Sequence, residues 1–202
     1  MIPILLLGCP KLPTPSETLA PIEVPADALS SADVRWYAVS GRDVFSLRES
    51  LRLHAPSDEN GERTLGRTQW NATWTWKGGG EPCRVESAAV DLSLLVWMPR
   101  WTPDHGTDPV IIERWRGYLA ALAVHERGHV ELVTAQVAQL DDILRAAPCA
   151  DADAVGALAL EAIRSLNHDY DVATRHGRSQ GAWYWTAPEW GASVEGEGSF
   201  AE

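Results

Sequence analysis

His125-Glu126-Arg127-Gly128-His129 places two imidazoles four residues apart, with a carboxylate directly after the first. On a helix a step of four returns to the same face, so both rings can approach one ion. Glu126 can then stand beside that ion without ligating it and take a proton from a water the ion holds. Zinc suits this set: it is redox-inert, accepts imidazole nitrogen and keeps one coordination position open for water. The water's pKa falls toward about 7 on binding, so the predicted chemistry is hydrolysis with Glu126 as general base. The polar triplet also interrupts an apolar stripe between Leu122 and Val130. Two His and a Glu buried there without a cation would need other partners.

A third protein ligand is required. The short-range metzincin version is absent, because Leu132 and Ala135 stand where Gly and His would be needed. The ligand is therefore expected from a second helix, which offers Glu161, His168, Asp171 and His176. Asn167-His168-Asp169-Tyr170-Asp171 and Thr174-Arg175-His176-Gly177 form the densest polar cluster in the chain. His168 reads more readily as a surface histidine, and Glu161 enters only by analogy with thermolysin-type sites. Tyr170, and after it Tyr118, could donate to the oxyanion of an attacked carbonyl, weighed against plain packing.

The elements that must position these groups are legible in outline. Val34 to Val39 reads as a strand, and residues 43–53 have helical spacing through Val44, Leu47 and Leu51. Trp70, Ala72, Trp74 and Trp76 recur at period two, an aromatic strand stripe assigned to the core. Gly78-Gly79-Gly80 is a turn, and one or two further strands follow from Cys83 as far as Pro99. From Thr107 or Asp108, either of which can cap a helix, an apolar stripe at helical spacing runs to Pro148; a second helix follows over 152–176. The expectation is α+β: a small antiparallel sheet, then two long packed helices.

The chain has 202 residues, 17 Lys and Arg against 28 Asp and Glu, and a formal net charge of −11. A surface this acidic repels phosphate, which argues against nucleic acid and anionic lipid as partners. Leu6-Leu7-Gly8-Cys9 resembles the cleavage box of bacterial lipoproteins, with Cys9 as the lipidated residue. The apolar run is short and no Lys or Arg precedes it, so one reading is a start inside a longer signal. Five prolines between Cys9 and Ser31 suit an extended tether. Residues 1–31 are thus expected to be signal and tether, 32–182 the folded domain, and 183–202 a tail, aromatic at first (Trp183, Trp185, Trp190) and then rich in Gly and Glu. Cys83 and Cys149 remain as an even pair; in an oxidising periplasm they would form a disulfide, the alternative being two buried thiols.

The chain also resembles a bacterial family of predicted secreted zinc-dependent proteases, otherwise described as a domain of unknown function. The residues that carry the resemblance are Tyr37-x-Val39-x-Gly41, Thr73-x-x-Trp76, Cys83, Pro99-x-Trp101, the HExxH, and Tyr170-Asp171-x-x-Thr174-x-His176-Gly177-x-x-Gln180-Gly181. The resemblance implies a zincin-like metallopeptidase with Zn2+ as cofactor and a peptide or protein as substrate. Together with the lipoprotein-like box at Cys9, it places the protein in the periplasm or cell envelope, held to the membrane only through an N-terminal lipid, or else secreted. On that basis His176 is the first expectation for the third ligand beside His125 and His129, with Asp171 and His168 as alternatives. The competing reading is a non-enzymatic envelope lipoprotein whose zinc, closed by four protein ligands, only ties the helices together.

Overall fold

The structure, a computed structural model, describes residues 19–183 apart from 26, 58–60 and 62. The lipoprotein-like box with Cys9, most of the Pro-rich tether, and the tail from residue 184 with Trp185 and Trp190 lie outside the described residues.

β1 (Asp33–Val39) leads into α1 (Val44–His54), whose start is fixed by a reciprocal cap. The Asp43 carboxylate accepts from the Ser46 backbone N–H, and the Ser46 hydroxyl accepts from the Asp43 N–H. β2 (Arg67–Gly79) and β3 (Arg84–Trp101) form a hairpin across the glycine-rich turn. β3 is one strand of 18 residues that runs through Pro99. Its pairing with β2 stops at Trp97, and beyond that point β3 has β1 beside it and a single antiparallel bridge between Ile22 and Trp101.

The sheet order is β1-β3-β2, and β1 runs parallel to β3. The sheet is therefore mixed, which corrects the expectation of an antiparallel one. A tight turn forces β2 and β3 to be antiparallel, whereas α1 and the whole of β2 separate β1 from β3. That connection is long enough to return the chain in the same direction.

α2 (Pro109–Val137) starts where expected: the Asp108 carboxylate accepts from the Val110 N–H, with Pro109 in the first turn. The stripe expected to continue to Pro148 is broken at 138–139 and resumes as α3 (Leu140–Ala146), which carries Leu140 and Leu144 into the core. α4 (Ala152–Thr174) follows, ending two residues before the expected boundary because Arg175 turns left-handed.

One apolar cluster joins Leu47 and Leu51 of α1, Val96, Met98 and Trp101 of β3, and Trp115 and Leu119 of α2. A second joins Val133 and Val137 of α2 to Leu140, Leu144, Leu160 and Ile163, under Trp70, Ala72 and Trp74. Burying each large side chain of this kind contributes about 1.5–3 kcal/mol. The tryptophan stripe packs on this second cluster but is only half-buried, with polar contacts at its rim. Trp74 and Trp76 both donate their indole N–H to Asp153 Oδ1, at 3.1 and 2.9 Å. The Cys83–Cys149 disulfide joins the hairpin turn to the entry of α4 across 66 residues. Together these contacts set α4 against α2 and so position the polar end of α4. Among the described residues no helix is long and apolar enough to cross a membrane.

Candidate metal centre

α2 presents His125, Glu126 and His129 on a face that packs inward, and all three are buried. α4 crosses α2 and brings Asp171 to the same point. Asp171 Oδ1 lies 3.2 Å from His125 Nε2 and 3.1 Å from His129 Nε2. Among the described residues, His125, His129 and Asp171 are the group whose ligand atoms all fall within 4.8 Å of one another. Ligands about 2.0–2.1 Å from a tetrahedral zinc stand roughly 3.3 Å apart, so these spacings suit such an ion.

The outer nitrogens of both rings are held. His129 Nδ1 lies 2.9 Å from Asn167 Oδ1, and Asn167 donates its own amide N–H to Ile163 O, so its oxygen is the atom left facing the ring. His125 Nδ1 lies 3.0 Å from Gln180 Oε1, and Gln180 Nε2 donates to the Tyr170 hydroxyl. An amide oxygen only accepts, so each Nδ1 carries the proton and each Nε2 keeps its lone pair. Two lone pairs and a carboxylate oxygen then converge on one point, an arrangement that a cation stabilises and that is repulsive without one.

In the metal-free chain, protons on the Nε2 atoms stand in for the cation. Burial alone would raise the Asp171 carboxyl, yet its hydrogen bonds to His125 and His129, and their charge, hold it well below the usual carboxylate range. For His129 burial pulls downward, but the hydrogen bond and charge of Asp171, together with Glu126, leave it raised. Glu126, 2% exposed, is pushed up by burial against the opposing pull of Thr68 and the two imidazoles. Thr68, at the start of β2, donates its hydroxyl to Glu126 Oε2 at 2.7 Å, and a β-carbon at Gly66 would collide with Glu126 Oε1. The carboxylate is thus clamped between α2 and the first residues of β2.

Residues 34–177 match the family described as "Bacterial protein of unknown function (DUF922)". The chain belongs to this family. No curated protein and no solved structure matches the chain. The matched segment of this DUF922 protein runs from β1 past α4 and includes the whole donor group, while Gln180 lies just beyond it.

The structure brings together four of the residues singled out on sequence: His125, Glu126, His129 and Asp171. His176 stands beside them and not among them. Its Nδ1 is 3.7 Å from Asp171 Oδ1 and its side chain is 74% exposed. The reason is local: Arg175 and His176 both leave the helix with positive φ, 52° and 51°, so His176 no longer follows the helical face that carries Asp171. His168 is exposed, and Glu161 is exposed and pairs with Arg164. Tyr170 packs between the two imidazoles, stacked on His125 at 5.3 Å and edge-on to His129 at 4.8 Å. Its hydroxyl donates to His125 O at 3.3 Å. Tyr118 is buried in the core against Trp115.

Sequence reasoning assigned no role to Asn167, Gln180, Thr68, Gly66 or Gly128. Gly128 was the readable one. A glycine inside a helix costs about 0.5–1 kcal/mol relative to Ala, and here its bare backbone accommodates the Tyr170 ring, which a β-carbon would strike.

Proposed function

We infer that this protein is a zinc-dependent metallopeptidase acting outside the cytoplasm. The observation that supports it most is the convergence of His125 Nε2, His129 Nε2 and Asp171 Oδ1 next to a buried glutamate. Zinc bound there supplies a Lewis acid for a peptide carbonyl and lowers the pKa of water at its open position. Everything else belongs to the chain. Asn167 and Gln180 keep the two Nε2 lone pairs bare and aimed. Glu126, raised by burial and oriented by Thr68, takes a proton at its carboxylate as water attacks, then delivers it to the departing amine. Export is supported by the Cys83–Cys149 disulfide, since such bonds persist in oxidising compartments.

The test is Glu126→Gln, which keeps the hydrogen-bonding shape and removes the base. The variant should retain zinc and lose about 10²–10⁴-fold in cleavage of an unfolded protein substrate. A variant as active as the parent overturns the reading. A zinc site closed by a fourth protein ligand, with no position for water, would instead favour a structural role.

A further inference from the structure

His176 differs from the two ligand-type histidines in every respect that the structure measures. The side chains of His125 and His129 are 6% and 10% exposed, whereas that of His176 is 74% exposed. Each of the first two has its Nδ1 held by an amide oxygen, which fixes the tautomer a metal ligand needs. Among the described residues none makes a hydrogen bond to the His176 ring. At 3.7 Å from Asp171 Oδ1 it is beside the carboxylate but outside hydrogen-bond reach. A neutral imidazole always carries one N–H, and among the described residues nothing has claimed it.

The backbone holds His176 in place with equal care. Helices commonly end on a single left-handed residue, usually Gly. α4 ends on three in a row, Arg175, His176 and Gly177, of which the first two carry a β-carbon. The His176 N–H donates to Asp171 O at 2.8 Å, and Gly177 donates to the Thr174 hydroxyl. Gly177 itself sits against the His125 side chain, where a β-carbon would clash. Left-handed conformations at non-glycine positions are unfavourable and concentrate at functional sites. The donor cluster is closed by burial on the α2 side, and Asp171, 29% exposed, is its solvent-facing member. Among the described residues, the approach from solvent is therefore on the Asp171 side, where His176 stands.

We propose that His176 is a substrate-contacting residue of this centre and not one of its ligands, donating its imidazole N–H to the peptide carbonyl oxygen as that oxygen gains charge. This rests on the metallopeptidase reading and adds to it a catalytic residue. It also accounts for the exposure of a histidine so close to a metal-type donor set: a donor that is useful only when substrate arrives has no partner before then.

The experiment compares the parent chain with His176→Ala and His176→Gln, each loaded with Co(II), whose visible absorption reports the ligand set. Acetohydroxamate serves as an anionic oxygen probe for the open position. Both variants should bind one Co(II) with the parent's affinity and spectrum. Acetohydroxamate should bind about 10–100-fold more weakly to His176→Ala, the range for a hydrogen bond to a charged group. His176→Gln, which keeps a donor, should recover part of that loss. A changed spectrum or a tenfold loss of Co(II) affinity in His176→Ala would tie His176 to the ion, as a ligand or as the support of one, and overturn the proposal. Unaltered acetohydroxamate binding in His176→Ala, or none in the parent, overturns it as well. A parent that takes up no Co(II) removes the metal centre and this role with it. A parent that binds Co(II) and acetohydroxamate yet cleaves no peptide defeats the peptidase reading alone.

Discussion

Asp171 Oδ1 stands 3.1 Å from His129 Nε2, joining two helices whose contributing residues are 42 positions apart in the chain. With His125 it forms a trio of acceptor atoms, and the trio holds together only around a cation or a shared proton. Asp171→Ala should therefore reduce zinc affinity by more than the roughly 10–100-fold that outer residues are worth. Competition against a chromophoric chelator measures it. Parent-like affinity in this variant would remove Asp171 from the ligand set.

Asn167 and Gln180 each fix one imidazole from behind. Asn167→Ala and Gln180→Ala should each weaken zinc binding about 10–100-fold without abolishing it. Both rings bear on one point and share Tyr170, so the loss in the double variant should differ from the sum of the single losses. Calorimetric titration of all three variants checks both statements, and zinc binding that is indifferent to both would mean the amides only fill space.

The buried Glu126 predicts a pH dependence for the metal-free protein. Burial, outweighing the Thr68 hydrogen bond and the imidazole charges, raises the folded-state pKa. A raised carboxyl imposes no penalty below its unfolded pKa, a growing one as pH rises from there to its folded value, and a constant one above. Metal-free Glu126→Gln should accordingly melt with the parent at acid pH and above it at neutral pH. Asp171 acts in the opposite sense. Despite the upward pull of its burial, its two histidines hold it low, so its stabilisation is present above the ordinary aspartate range and lost as pH falls. Thermal unfolding in chelator across pH separates the two limbs; a Glu126→Gln difference that does not vary with pH contradicts the assignment.

Gly128 offers a test of packing. In an ordinary helix Gly→Ala stabilises by about 0.5–1 kcal/mol. Here the new methyl meets the Tyr170 hydroxyl, so Gly128→Ala should destabilise instead, by about 1–3 kcal/mol, as overpacked cores do. Tyr170→Phe removes the nearest atom, and the double variant should recover part of the loss. Denaturant unfolding reads the outcome. A Gly128→Ala protein more stable than its parent would place the ring elsewhere.

What could be read from the chain alone was whatever depends on near neighbours. The His125–His129 spacing is a property of one helix, so the shared face follows from 3.6-residue periodicity before anything else folds. The caps at Asp43 and Asp108 and the period-two stripe from Trp70 to Trp76 are legible for the same reason. Tertiary structure decided the rest. Nothing local makes β1 parallel to β3; the length of the intervening connection does. Nothing local favours Asp171 over His176 either, since both lie at the polar end of α4 and imidazole is the commoner zinc partner. That choice is made where α4 ends at Thr174 and the chain turns left-handed: Asp171 stays on the helix face that meets α2, and His176 swings into solvent. Asn167 and Gln180 could be seen in the polar cluster and the closing signature but their role could not, because which nitrogen of an imidazole is held depends on what α4 and the following turn bring behind it.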